Sequence, residues 1–409
     1  MELRPGEGGL TALVGDERER PLVGSIGGQL GDAPGDAGHR VATVAERECT
    51  LLAHPRLLEQ MDAHGIDVVV LCGENNVTYA TGYAAPSQEP ARASATRTVA
   101  LITKTDERLV PARLLDFEQG TEALASAIAD HGGTLAIDEY PSLALRTVLA
   151  DRTPGNAAPL LAAAKLVKAP AEIERIRRAQ RINEQAMDDV LPALRPGIRD
   201  TDLTALFFRR IFELGATGNT VDPIWNVIPT SIAEGPFTLT GHLPFPWPTS
   251  GRVLERGDVI FNDTGIDFEG WASDFGRTWC VGVEPDARQR SQFRRYMDII
   301  EACCDVIKPG ATAWDVAVAA RDTNGGEPPW LPHFYVAHGI GTEAAELPFC
   351  GTDLGQEIES QVVLAAGTVL VLEPVVWEEG YGGYRAEEVV VVTDDGCQLL
   401  TDYPHAPYG

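Results

Sequence analysis

The feature that most constrains this chain is that its second half repeats itself. Arg195-Pro196-Gly197 is followed five residues after its Gly by Asp202, and Lys308-Pro309-Gly310 is followed at the same distance by Asp315, so the triplets stand 113 positions apart. Gly257 precedes Asp263 by six residues within a β-rich run, and Gly367 precedes Glu373 by six within another, 110 positions further on. Asp274 and Glu387 again differ by 113. This spacing predicts a duplicated helix-plus-hairpin unit whose two copies face each other about a pseudo-twofold axis and bring their acidic residues to the centre. Two copies make a closed domain and not a solenoid.

The repeat is also where the chemistry gathers. In DVIFNDTGIDFEGWASDFGRTWCVG two strand-like runs flank a turn expected near Phe268 and Glu269, a centre that sets Asp263 directly opposite Asp274. Opposed residues on one face have Cβ atoms about 4.5–5.5 Å apart. Carboxylates that close repel, so one is protonated or a cation sits between them. The second copy repeats the arrangement, with Glu373 following the run Thr368 to Leu372 and Glu387 entering the run Val389 to Val392. Four carboxylates converging from buried strands call for more than one divalent cation. His338, in Val336-Ala337-His338-Gly339-Ile340-Gly341, adds a nitrogen ligand with small neighbours that leave room for a metal. The mixed oxygen and nitrogen set Asp263, Asp274, His338, Glu373 and Glu387 suits Mn, Co, Fe or Zn. Singly, each is an ordinary strand-end acid or structural His; jointly, their apolar strands make a surface placement costly.

Upstream the pattern differs. Residues 1–45 are Gly-rich and short of periodic apolar positions, as expected of a flexible leader. Leu51, Leu52, Leu57, Leu58 and Met61 predict a helix that Gly65 ends before the strand Asp67 to Leu71. Strands over Thr98 to Ile102 and Thr134 to Ile137, with a helix over Thr121 to Ala129, give an α/β domain over 46–165. Lys165 to Pro170 is the junction, and 166–409 is the duplicated domain. It opens on an amphipathic helix with Ile173, Ile176, Ile182, Met187, Val190 and Leu191 inward and its charges on the opposite face. A second helix places Phe293, Met297, Ile300, Cys304 and Ile307 in one core stripe.

Charge excludes several partners. Lys+Arg 33 against Asp+Glu 60 leave a formal net charge of -27, a field that repels phosphate backbones and anionic membrane surfaces. The longest apolar run, Val362 to Leu372, is too short to cross a bilayer, and no signal-peptide pattern opens the chain. Seven scattered cysteines without C-x-x-C spacing fit a reducing compartment. The expectation is a cytoplasmic, soluble protein with no nucleic-acid or membrane partner.

Asn262-Asp263-Thr264-Gly265, Asp274-Phe275-Gly276-Arg277-Thr278, the HGIG at His338, Glu373-Pro374 and Arg385-Ala386-Glu387 resemble the signature of the pita-bread metallopeptidases, which include Xaa-Pro aminopeptidases, prolidases and methionine aminopeptidases. The order and spacing of all five ligands match. ENNVTYATGY and Leu166 to Glu172 resemble the creatinase-type N-terminal domain and its junction, so the resemblance covers about Glu46 to Gly409. It implies an α/β fold, a creatinase-type N-terminal domain followed by a duplicated pita-bread catalytic domain.

By this resemblance Asp263 chelates one of two divalent metals, Mn favoured; Asp274 and Glu387 bridge both, and His338 with Glu373 completes the other. A water between them loses its proton near neutral pH and attacks a C–N bond, with Glu373 shuttling the proton and Arg385 holding the bridging carboxylate. His242 stands near the family's upstream substrate-contacting His, 21 residues before Asp263, and His333 near another but one position out of register. The implied activity is that of an Xaa-Pro aminopeptidase or dipeptidase on small peptides, as a homodimer. One departure stands out. The family's second His, seven residues after the ligand His in an H-E-x-P context, is here Ala345, although Glu346 and Pro348 are in place. Loss of an oxyanion donor costs on the order of 100- to 1000-fold in rate. The alternative is therefore a non-peptidase of the same fold, a small-molecule C–N hydrolase or metal-dependent lyase.

Overall fold

The computed structural model describes residues 55–82, 99–104, 113–115, 125, 126, 128–138, 146, 149, 152–231 and 251–409. The expected leader, residues 1–45, and His242 with its proline-rich loop lie outside them. Of the helix expected over Thr121 to Ala129, positions 125, 126, 128 and 129 are described, and all are helical.

Helix α1 (Pro55–Ala63) buries Leu57 and Met61 and is followed by β1 (Val68–Leu71), α2 (Glu74–Thr81), β2 (Val99–Thr103), β3 (Arg113–Leu115), β4 (Leu135–Ile137), β5 (Gly155–Asn156) and α3 (Ala158–Lys165). The strands form one sheet in the order β3-β2-β1-β4-β5, with β1 antiparallel to β2 and parallel to β4. All four residues of β1 are buried, as its unbroken β-branched run requires of a strand covered on both faces.

The repeat begins with α4 (Pro170–Val190) and α5 (Asp200–Glu213), then β6 (Gly218–Val227), β7 (Val259–Phe268), β8 (Trp271–Ala272) and β9 (Phe275–Cys280). The second copy has α6 (Ala287–Val306), α7 (Ala313–Thr323), β10 (Ala337–Gly339), β11 (Glu346–Cys350), β12 (Val369–Leu372), β13 (Val375–Glu378), β14 (Gly382–Arg385), β15 (Glu388–Val392) and β16 (Cys397–Leu399). Matching detail identifies the copies. Gly197 and Gly310 both take left-handed backbone, and their N–H groups donate to Leu254 O and Leu364 O. Gly257 and Gly367 are likewise left-handed, with φ of 95° and 93°. The isolated bridge Arg199 to Val253 recurs as Thr312 to Val363. Each copy has its own apolar core, one around Ile182, Phe207 and Trp279, the other around Tyr296, Ile300 and Leu372.

Two sequence expectations shift. The turn joining β7 to β8 centres on Glu269 and Gly270, both at positive φ (54° and 87°), a two-residue connection of the mirror-image kind that fits the strand twist. The pairing therefore sets Asp263 opposite Gly276, not opposite Asp274. A slip of two residues preserves the face, so both carboxylates still point the same way. In α6 the fully buried stripe is Tyr296, Ile299, Ile300 and Cys303; Phe293, Met297 and Cys304 pack only at its edge. No helix among the described residues is long and apolar enough to cross a membrane.

Candidate metal centre

The site lies where the copies meet. Asp263 sits mid-strand in β7, Asp274 in the short link between β8 and β9, His338 at the middle of β10, Glu373 just past β12 and Glu387 just before β15. Strand ends fix the two glutamates. The Glu373 N–H donates to Val336 O at 2.9 Å, and the Glu387 N–H to Gly276 O at 3.1 Å. All five are buried, none more than 6% exposed.

The expected residues converge. Carboxylate oxygens of Asp263, Asp274 and Glu387 lie within 4.8 Å of one another. His338 Nε2 stands 3.3 Å from Asp274 Oδ2 and 3.4 Å from Glu373 Oε1. The Arg385 Nη2 group reaches Glu387 Oε1 at 2.6 Å, Glu373 Oε2 at 2.7 Å and Asp263 Oδ2 at 3.1 Å. Three carboxylates thus share one guanidinium. Burial first, then the neighbouring acids, push the Asp274 and Glu387 carboxyls well above their ordinary range; burial also raises Glu373, against the opposing pull of Arg385 and His338. Burial alone would lower Arg385, but Glu387, Asp263 and Glu373 hold its charge firmly.

The donor set fits divalent cations. Asp274 Oδ1 and Glu387 Oε2 are buried with no hydrogen-bond partner, a costly state for a carboxylate unless a cation completes it. His338 Nδ1 lies 2.9 Å from Gly339 O, which assigns the proton to Nδ1 and aims the Nε2 lone pair at Asp274 and Glu373. Gly276 makes the close approach of the copies possible, since a Cβ there would lie 2.8 Å from Glu387 Cδ. Arg277 then locks the Glu387 backbone. Its Nη1 donates to Glu387 O at 2.6 Å and to Gly276 O at 2.9 Å, its Nη2 donates to Tyr403 O, and it pairs with Glu388 at 3.1 Å.

The inward face of α4 carries polar groups as well as apolar ones. In α4, Gln180, Asn183 and Glu184 are buried, and Glu184 Oε1 accepts the Asp402 N–H at 3.0 Å. Asn183 Nδ2 donates to Thr264 O at 2.8 Å and to Ser273 Oγ at 3.0 Å, and Gln180 Oε1 accepts the Asp274 N–H at 3.3 Å. Their signal was legible: Gln180, Asn183 and Glu184 fall at helical spacing beside Ile176, Ala179, Ile182 and Met187, a polar wedge inside an apolar stripe.

A cavity of about 420 Å³ opens onto these five residues, walled by Val221, Ile224, Phe334, Tyr335, Ala344 and Ala345. Ala345 thus stands at the site, as its place in the motif implies. Glu346 turns away from it to pair with Lys168 at 2.7 Å, both side chains buried. His333 is exposed, at φ 62°, and pairs with Asp353 at 2.5 Å.

Comparison with known proteins places this geometry. The model of the creatinase/prolidase N-terminal domain matches residues 54–178, and that of metallopeptidase family M24 matches residues 174–394. The probable dipeptidase PepE of Mycobacterium tuberculosis is 29% identical over 305 residues, covering 72% of this chain and 75% of that protein. The Xaa-Pro dipeptidase of Pyrococcus furiosus is 28% identical over 239 residues, covering 58% of this chain and 63% of that one. Among solved structures, the X-Pro aminopeptidase from Thermotoga maritima superposes with a TM-score of 0.65 at 25% identity, over 86% of this chain and 98% of that one. With a match across more than half its length, and with the duplicated fold and buried acidic centre described above, the chain belongs to metallopeptidase family M24.

Proposed function

We propose that the protein is a divalent-metal-dependent peptidase that hydrolyses Xaa-Pro bonds in small peptides. The observation that carries this reading is the convergence of Asp263, Asp274, His338, Glu373 and Glu387 at the end of a cavity whose other wall is largely apolar, with orphaned oxygens on Asp274 and Glu387. Those five residues would hold two cations, Mn first among the candidates because four of the five donors are carboxylates. When bound, the cations supply Lewis acidity toward the amide carbonyl and the attacking water.

The chain's own groups do the rest. Glu373, its carboxyl raised by burial, is the residue to take a proton from water and return it to the leaving amine nitrogen. Arg385 fixes the orientation of Asp263, Glu373 and Glu387 without itself giving up a proton. The apolar wall of Val221, Ile224 and Phe334 suits a pyrrolidine ring and keeps bulk water from the carboxylates. His242 remains part of the reading as a substrate contact. So do the domain limits 46–165 and 166–409, a homodimer, and a reducing, cytoplasmic setting. The relatives named above are called peptidases, which leaves the non-peptide alternative unsupported.

The test is hydrolysis of Xaa-Pro and Xaa-Ala dipeptides and tripeptides by metal-stripped protein reloaded separately with Mn, Co, Zn and Fe. Cleavage confined to Xaa-Pro bonds supports the proposal, and peptide length separates aminopeptidase from dipeptidase. Metal uptake without cleavage of any peptide refutes it.

A further inference from the structure

Ala345 leaves a vacancy of function: a site for amide hydrolysis needs a donor aimed at the carbonyl oxygen as it gains charge. Several polar groups around the cavity are already engaged. The Arg385 Nη2 group is committed to three carboxylates. The His338 Nδ1 proton goes to Gly339 O, and Nε2 faces carboxylates. The Thr220 hydroxyl is buried and faces Gly265.

Tyr335 is different. It lies three residues before His338 and lines the same wall as Ala344 and Ala345. Its ring stands edge-on to the His338 imidazole, centroids 5.3 Å apart, and is held by Phe334 stacked at 4.2 Å and Phe349 at 5.1 Å. Three rings thus fix its plane, while among the described residues its hydroxyl makes no hydrogen bond. We propose that the Tyr335 hydroxyl donates the hydrogen bond that steadies the scissile carbonyl oxygen, in the place vacated by the His that Ala345 replaces. An ordinary phenol is protonated at neutral pH, so the hydroxyl is a standing donor. The role requires no proton transfer.

This inference rests on the peptidase reading, and the experiment separates the two. Full-length protein is reconstituted with Mn and assayed on an Xaa-Pro dipeptide, and a phosphinic pseudodipeptide, whose P–O⁻ mimics the charged oxygen, is titrated by calorimetry. Tyr335→Phe removes one hydroxyl and keeps the ring packing. We expect kcat to fall on the order of 100-fold with KM, metal content and Tm little changed, and phosphinate affinity to fall in parallel. Adding Ala345→His to Tyr335→Phe should recover about tenfold or more, whereas Ala345→His alone should gain less than about threefold because the donor is already present. Tyr335→Phe with unchanged kcat, or a large gain from Ala345→His alone, overturns the assignment and leaves the peptidase reading intact. A parent protein that neither cleaves the dipeptide nor binds the phosphinate overturns the peptidase reading, and this inference with it.

Discussion

Gly276 is the point at which one added methyl group should disable the centre. A Cβ built there lies 2.8 Å from Glu387 Cδ and 3.0 Å from its Cγ and Oε1. Comfortable carbon contact begins near 3.5 Å, so Gly276→Ala asks the Glu387 carboxylate to withdraw by about 0.7 Å. It has little freedom to do so. Its N–H is bonded to Gly276 O, its carbonyl to Arg277 Nη1 at 2.6 Å, and its carboxylate to Arg385 Nη2 at 2.6 Å. Gly276 is an ordinary strand residue without left-handed backbone, so the alanine meets no conformational objection of its own. Overpacking of this sort costs about 1–3 kcal/mol in stability, and a ligand displaced toward 1 Å costs about 100-fold in turnover. The expected result is a folded protein with a modestly lowered Tm, less than its full complement of metal by elemental analysis, and kcat down about 100-fold. Gly132→Ala, where a Cβ meets nothing within 4 Å, is the control. Full metal content and full turnover in Gly276→Ala would refute the claim that this glycine admits Glu387 to the centre.

Other consequences are as direct. Asp274→Asn should abolish metal binding and activity together; unchanged metal content in that variant would remove Asp274 from the ligand set. Metal uptake should release protons and tighten as pH rises, because the Asp274, Glu373 and Glu387 carboxyls of metal-free protein are raised; calorimetry in buffers of different ionisation enthalpy measures the count. The same raised carboxyls make metal-free protein lose stability as pH climbs past the unfolded carboxyl range near 4, where the folded state binds more protons than the unfolded one. The gap in Tm between metal-loaded and metal-free protein should therefore widen between about pH 5 and 8, and a constant gap would contradict it. Lys168→Met should cost about 3–5 kcal/mol by stranding buried Glu346, and Lys168→Met with Glu346→Leu should regain most of it in urea melts.

What the sequence discloses depends on how local its cause is. The convergence of the five candidate ligands was legible because each sits at a fixed distance from a glycine or an apolar strand, and the offsets of 113 and 110 recur in the structure as paired left-handed glycines and paired bridges. The opposition of Asp263 and Asp274 was misread because Glu269, a non-glycine residue at positive φ, shifts the turn centre by one, a choice that propensity disfavours. Gln180 and Asn183 show in the sequence as polar letters within an apolar stripe, but their tasks lie in strand segments 81–94 positions on, and that of Glu184 at Asp402, 218 positions on. Arg277 was visible as a motif letter, but its task of gripping Glu387 from 110 positions away is a purely tertiary fact.

The division of the candidate ligands between the copies has a consequence for how such a centre can exist at all. Asp263 and Asp274 come from one unit, His338, Glu373 and Glu387 from the other, and Gly276 O receives the Glu387 N–H across the seam. An isolated unit owns at most part of the set, so a centre made from separate units would come and go with their concentration. Joined in one chain, the halves meet at every dilution. Joining also frees them from identity: one half keeps short aspartates while the other has longer glutamates and the only imidazole of the set, an asymmetry that a pair of identical subunits is forbidden by symmetry to adopt.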